Sequence, residues 1–453
     1  MASSIIDSNY YCDVFGTAEM RDLFSDEQRV KSWLKTEVAL AFAEAKVGFF
    51  PEKIAKEIAD AAKLENLDLI AMKAEFDRVG FPISPFVHQL NKACSPEAVR
   101  WVHYGATTQD ITDTGTVLQI KEGLKVVEKE TQAIINALIK LAKKYKYTVM
   151  PGRTFQQHAA PITFGYKVAV WLDEMRRHRD RLSELKSRIL VGECAGAVGT
   201  FATLGDKGLE VQKEMMDILG LEVPAISWHV ARDNWAEMIS CFAMQSATLA
   251  KIANEVTILM RSEIRELSEP YEVGRGASST LPQKRNPISC EPIIAIAHKM
   301  REATGLQLSA MIQDHERPVG PTHLEWIIIP ESFILFSGSL KHSKFVLENL
   351  VVYEHRMREN LKLGGGLLMS ESVMMGLAPK IGKKKAHDMV YTIAGKANDL
   401  GITLREALLN DENITNFLSE SEIDKLIDPI NYTGVADKMI DAVLAKYNEK
   451  QKT

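Results

Sequence analysis

An all-α fold is predicted from three features of the 453-residue sequence. From Ala225 to Glu269 there is no glycine or proline, and Pro270 closes the run. Within it Trp235, Met238, Ile239, Phe242, Leu249, Ile252, Val256 and Leu259 recur at three- and four-residue steps, the period of a helix with one apolar face. A helix over most of that run would span on the order of 60 Å. Similar stretches run over Leu124–Met150, Tyr166–Val191, Ile293–Arg317 and Glu331–Leu363, with kinks expected at Gly305 and Gly338. Long apolar-striped helices shield one another by packing side by side as a bundle. Their length leaves stripes over, which predicts association with further copies.

Three helical domains are expected in order. Residues 1–105 form the first, with an amphipathic helix over Ser25–Lys46 capped by Ser25 or Asp26. Residues 106–363 form the central bundle. Residues 364–453 follow the Gly364-Gly365-Gly366 break, with helices over Lys383–Leu400, Thr403–Leu409 and Ser419–Ile427 and a last one reaching Lys446. The Lys383-Lys384-Lys385 run reads as a solvated helix start rather than a phosphate patch.

Composition excludes several classes. Hydrophobic residues make up 46% and charged residues 25%, as in ordinary globular chains. A formal net charge of -5 does not suit nucleic-acid binding, and no apolar run reaches membrane-spanning length. Met1 to Tyr10 lack the basic-then-apolar order of a signal peptide. Cys12, Cys94, Cys194, Cys241 and Cys290 are scattered and odd in number, which argues against a disulfide framework or a zinc site and fits a reducing cytoplasm.

Four segments gather polar groups near expected helix ends: Val102 to Thr114, Gly152 to Thr163, Gly274 to Pro287, and Asp314 to Trp326. The third, GRGASSTLPQKRNP, is the most telling. Ser278 and Ser279 stand beside Lys284 and Asn286 in a glycine-bounded, proline-punctuated loop. A serine next to cationic and amide donors suits removal of a proton beside a carboxylate while the donors hold the developing charge. In the first segment, His103, Thr107 and Thr108 suit a carboxylate at a helix N-terminus, though an elaborate cap would use the same residue types. The second, read as a polar turn before a helix, offers Thr154, Gln157 and His158. The glycines of GECAGAVGT lack both the order and the preceding strand of a dinucleotide-binding turn.

The run Ala277-Ser278-Ser279-Thr280-Leu281-Pro282-Gln283-Lys284-Arg285-Asn286-Pro287 resembles the signature G-S-S-x-M-P-x-K-x-N-P of the fumarase/aspartase superfamily, with Ala277 and Leu281 departing. The resemblance covers nearly the whole chain. It is nearest the branch of adenylosuccinate lyase and 3-carboxy-cis,cis-muconate cycloisomerase, on the cycloisomerase side. Phe15 to Asp26, Trp228-His229 with Arg232-Asp233, Glu316 to Trp326, and Gly365 to Met369 leading to Val373-Met374-Met375 carry that part. Adenylosuccinate lyases carry an Arg-Tyr pair where Val14-Phe15 stand and an arginine where Trp326 stands. Both differences remove phosphate-binding charge, so a nucleotide substrate is the lesser reading. Many relatives also have an acid histidine where this chain has Phe155, leaving His103, His158 or a water as the acid.

The resemblance implies a reversible β-elimination or addition on a di- or tricarboxylate, without metal or cofactor. Ser278 would be the base. Lys284, Asn286, loop N–H groups and helix ends would steady the intermediate, Thr107, Thr108, Thr154 and Gln157 would hold carboxylates, and Ser279 would help bind the substrate. It further implies a homotetramer with a twenty-helix core and active sites shared between subunits. Alternatives within that frame are a lyase or epimerase of an N-substituted aspartate, adenylosuccinate lyase, and a catalytically idle structural relative.

Overall fold

The computed structural model describes residues 4–450, and the chain is built almost wholly of helices. Numbering only the elements used below, α1 is Asp26–Val47, α2 Thr108–Lys144, β1 Val149–Thr154, β2 Gln157–Thr163, α3 Phe164–Ile189, α4 Asp233–Leu259, α5 Cys290–Ala310, α6 Pro321–Glu348, α7 Ser370–Ile381, α8 Lys383–Leu400, α9 Leu404–Leu409 and α10 Glu420–Ile427. The all-α expectation holds. Two short antiparallel ladders accompany the helices, β1–β2 and a two-residue pair of Leu267–Ser268 with Val351–Val352.

Helix starts follow capping chemistry. Ser25 caps α1, its hydroxyl accepting from the Gln28 N–H, and Gly48 ends it in the left-handed conformation. Thr403 and Ser419 form full capping boxes with Glu406 and Glu422 ahead of α9 and α10. The longest run free of glycine and proline is helical over a shorter span than its composition suggests, Asp233–Leu259. Gly305 and Gly338 lie inside unbroken α5 and α6.

Three stretches depart from the expectation: α5 ends at Ala310 rather than Arg317, α6 ends at Glu348 with the Val351–Val352 strand where a helix to Leu363 was expected, and the largest departure follows α2. Helix α2 starts at Thr108 and ends at Lys144, and the chain then forms the β1–β2 hairpin where a helix to Met150 and a polar turn were expected. The run Tyr145-Lys146-Tyr147-Thr148-Val149 is aromatic and β-branched, which suits a strand as well as a helix. At the tip, Phe155 and Gln156 both have positive φ, 51° and 66°, the signature of a two-residue type I′ turn.

The chain divides into two compact units. The first comprises Met1–Thr131, His178–Leu249 and Pro292–Lys341, and the second Gln132–Arg177, Ala250–Glu291 and His342–Thr453. In the first, Phe242 packs edge-on against Phe333 and stacks on Phe336, with ring centroids 4.9 and 4.7 Å apart. Phe333 fits because Gly123 of α2 has no side chain, since a Cβ there would lie 2.7 Å from its ring. A glycine inside a helix costs about 1 kcal/mol, which the buried ring offsets. In the second unit Met369, Val373, Leu377, Val390, Ile393 and Leu408 form an apolar core. Among the described residues no helix is long and apolar enough to cross a membrane, and all five cysteines are free thiols.

Candidate active site

In the first unit, the first segment opens α2. Thr107 precedes the helix, and its N–H donates to Asp110 Oδ2 at 2.9 Å. Asp110 is fully buried. It also accepts from the Gly196 N–H (3.0 Å), the Ala195 N–H (3.1 Å) and His229 Nε2 (2.8 Å). One carboxylate thus ties the start of α2 to the glycine-rich turn, where Gly196 and Gly199 take the left-handed conformation with φ of 81° and 80°. The Thr107 and Thr108 side chains are half-buried and take no part in this cap.

Asp110, Glu193 and His229 come close enough to suggest a metal site. Both Asp110 oxygens, however, already accept from protein donors, and His229 spends Nε2 on one of them. The donor set fits a buried hydrogen-bonded ion pair better than a coordination shell. Burial pushes the Glu193 carboxyl up to about 7, despite the nearby His229. Burial opposes charge on His229, but its bond to Asp110 and the charges of Asp110, Glu193 and Asp113 together outweigh that and raise its pKa.

A second network braces the next turn. Arg232 is fully buried, reaches Asp113 at 2.6 Å and Glu325 at 2.7 Å, and lies against both the Trp228 and Trp235 rings, 4.9 and 4.0 Å from their centroids. Gln109 extends it, donating to Asp113 Oδ2 at 3.0 Å and accepting from exposed Arg317 Nε at 3.0 Å. Arg317 Nη1 also lies 3.5 Å from Thr107 Oγ1. The fourth segment therefore sets a guanidinium beside a threonine at a helix N-terminus, a fitting cradle for a carboxylate. The sequence reading passed over Arg317, because its neighbours lie about two hundred positions away.

His103 stands just ahead of this cap, in the left-handed conformation with φ 58°. Its Nδ1 is 2.7 Å from Glu37 Oε1 of α1. Burial opposes its charge, but the Glu37 carboxylate, with a smaller contribution from Asp110, more than compensates and raises its pKa.

In the second unit, the serine loop is anchored at its ends. Buried Glu269 accepts from the Ser289 and Cys290 N–H groups at the start of α5. Arg275 lies over the Phe345 ring and Arg285 over Tyr271, 4.3 and 3.7 Å from the centroids. Asn286 donates twice to the Gly276 carbonyl, from N at 3.0 Å and Nδ2 at 3.2 Å. Gly276 has φ 66°, and a Cβ there would meet the Asn286 carbonyl at 2.8 Å, so only glycine closes the loop. Between these anchors Ser279 and Lys284 are exposed and Ser278 half-buried. Ser278 Oγ accepts from the N–H groups of Thr280 (3.2 Å) and Leu281 (3.0 Å).

The same unit holds the hairpin. Thr154 and Gln157 are exposed on either side of its tip, and Phe155 is 99% exposed. Below the tip Arg153 makes a two-bond fork with buried Glu266, at 2.6 and 2.9 Å. His158 is half-buried at the edge of a cavity of about 610 Å³, shared with Gln157, Gly364, Leu367, Ser370 and Glu371. Burial, then the Arg153 charge, lowers its pKa, so it is neutral near pH 7.

The structure thus gathers the expected residues into two groups: His103, Thr107 and Thr108 in the first unit, and Thr154, Gln157, His158, Ser278, Ser279, Lys284 and Asn286 in the second.

Fold and site define a class of helical lyases, and comparison with known proteins agrees. A family model described as lyase matches residues 15–301, and one described as adenylosuccinate lyase C-terminus matches residues 366–443. The chain is 40% identical to an N-acetyl-S-(2-succino)cysteine lyase of Enterococcus italicus, over 99% of each chain. It is 38% identical to a 3-carboxy-cis,cis-muconate cycloisomerase of Pseudomonas aeruginosa, over 96% of this chain and 95% of the relative. A solved fumarate lyase from Mesorhizobium sp. BNC1 superposes with a TM-score of 0.90 at 43% identity, covering 95% of this chain and 98% of its own. The chain belongs to the fumarase/aspartase superfamily. Its relatives there are lyases and cycloisomerases, and this chain is an enzyme of that kind.

Proposed function

We propose that the enzyme catalyses a reversible β-elimination or addition on a small di- or tricarboxylate, with Ser278 removing the proton next to a carboxylate. The observation that carries this reading is the pair of backbone N–H groups on Ser278 Oγ. A serine hydroxyl is normally a poor base. Hydrogen bonds donated to its oxygen favour the anion and make proton removal easier. The C–H proton passes to that oxygen, and the electron pair forms the double bond as the bond to the β heteroatom breaks. The leaving atom then takes a proton. Lys284 and Asn286 steady the enediolate-like intermediate, while Thr107, Thr108 and Arg317 hold a carboxylate. In the addition direction a carboxylate oxygen of the substrate closes a lactone.

Two substrates of this class lead: 3-carboxy-cis,cis-muconate, and an N- or S-substituted succinate that releases fumarate. A nucleotide fits less well, since Val14, Phe15 and Trp326 carry no charge for a phosphate. The site is assembled from several copies of the chain in a homotetramer. Ultraviolet absorbance distinguishes muconate loss, fumarate release and adenylosuccinate cleavage, so one panel separates the candidates. Turnover of one of them that Ser278→Ala abolishes supports the reading, and undiminished turnover by that variant sinks it. Recovery of activity on mixing Ser278→Ala with His103→Asn chains tests the shared site.

A further inference from the structure

With Phe155 in place of an imidazole, the acid that protonates the leaving atom has to come from elsewhere. We propose that Glu37 is a positioning residue that holds His103 protonated on Nδ1, so that Nε2 is the atom that delivers a proton to the leaving group; this rests on the elimination reading above.

The geometry is one-sided. Glu37 is 2% exposed, fixed by helix α1, and its carboxylate oxygen lies 2.7 Å from Nδ1. A carboxylate at that distance keeps a proton on Nδ1 in both the neutral and the charged ring. The nitrogen that gains and loses a proton is then Nε2. The His103 side chain is 20% exposed, so a ligand can reach it. Its φ of 58° is uncommon for a residue with a side chain, and such strain persists where surrounding bonds impose it.

The electrostatics agree. Two carboxylates face His103: Glu37 from α1 and Asp110 from the first turn of α2. Asp110 is already bonded to His229, beyond which lies Glu193. Helix α1 carries a second buried acid on the same face, Glu44, seven positions on from Glu37. Neither Glu44 oxygen has a hydrogen-bond partner. Burial, then the Glu37 charge, pushes the Glu44 carboxyl up to about 9, so it stays uncharged at neutral pH. Glu37 is therefore the one negative charge that α1 brings to the imidazole. His158, by contrast, is held neutral by burial and Arg153, a state that has no proton to give at Nε2 or Nδ1 without losing its ring N–H.

The proton count closes. His103 Nε2–H protonates the departing nitrogen, sulfur or oxygen, and the neutral ring regains a proton from solvent through its exposed edge. Ser278 passes the substrate proton to water.

The test uses full-length Glu37→Gln, with ¹⁵N NMR of the imidazoles and His103→Asn to assign the signal. The wild-type ring is expected as the Nδ1–H tautomer, titrating above an ordinary histidine. In Glu37→Gln the midpoint falls and the tautomer preference weakens. On a turned-over substrate, kcat drops at least about tenfold while KM stays within about threefold. The alkaline limb of the kcat profile moves to lower pH, because a weaker hold on the proton empties the acid sooner. Glu44→Gln leaves the His103 titration in place. An Nε2–H tautomer in the wild type, or an unmoved midpoint in Glu37→Gln, overturns the role of Glu37. Full-rate turnover by His103→Asn overturns the acid assignment. If Glu37→Gln does not fold, the wild-type tautomer decides alone. The NMR result does not depend on the substrate, whereas Ser278→Ala turnover bears only on the elimination reading.

Discussion

The first segment and the serine loop solve opposite problems. Around Thr107 the side chains that shape the backbone are buried and ionisable: Asp110, Asp113, Glu193, His229, Arg232 and Glu325. They bond to one another or to N–H groups, so the start of α2 has one well-defined geometry before any ligand arrives. The serine loop is held only at its ends, by Glu269, Arg275 and Arg285, and its middle bonds to itself. A rigid buried frame suits orienting a carboxylate. An exposed loop that carries its own N–H donors suits a base that must meet substrate and then exclude water. Variants of the buried ion pairs in the first region should therefore act chiefly on stability, and variants of the exposed loop chiefly on rate.

The largest effect belongs to the loop. On the proposed mechanism Ser278→Ala lowers kcat by about a hundredfold or more, with the denaturation midpoint unchanged, because the side chain supports nothing beyond its own turn. A parallel loss of stability would break the contrast. The frame gives the mirror image. Arg232→Met leaves Asp113 and Glu325 buried without a cation, and truncating one side of such a network costs about 3–5 kcal/mol. Chemical denaturation should show that loss. A variant as stable as the wild type would mean that the frame is not held by charge.

This contrast also marks what could be read from the sequence. Capping residues are local, so Ser25 placed the start of α1 to within a residue, the helices expected from Thr403 and Ser419 start one residue on, and helical periodicity identified the long elements. The serine loop was legible because Ser278, Lys284 and Asn286 lie within nine positions. The frame was not. Arg232 meets Asp113 119 positions back and Glu325 93 positions on, separations that no local pattern reveals. Glu37 and Glu44 look like the polar face of an amphipathic helix, and only burial shows otherwise. The hairpin was missed because Tyr145 to Val149 lacks the glycine or proline that usually marks a break.

A subtler test of the frame uses pH. The Glu44 carboxyl, at about 9 in the folded protein, lies above its unfolded value of 4.5. The folded state therefore keeps a proton that the unfolded chain releases. Its contribution is complete below about pH 4.5 and is lost as pH rises toward 9, by at most about 1.4 kcal/mol per unit. Glutamine cannot ionise, so Glu44→Gln should gain stability over the wild type progressively between those limits. Denaturation midpoints at pH 5, 7 and about 8.5 would show a widening gap. A constant gap would mean that Glu44 is ionised when folded and has a partner.

The smallest effect concerns the other unit and sharpens the contrast most. Phe155 is 99% exposed and sits at φ 51° in the hairpin turn. Neither feature helps an isolated hairpin, because the ring buries nothing and an asparagine takes that conformation more easily. Phe155→Asn should raise stability by about 0.5 kcal/mol, a gain typical of relieving such a turn. If kcat or KM worsens while stability rises, the phenyl group is kept for the reaction or for contact with another copy, and the hairpin joins the serine loop as a region shaped for function at the expense of the fold. If stability falls instead, the ring supports the turn in the folded chain, and the contrast between a stabilising frame and costly active loops does not extend to the hairpin.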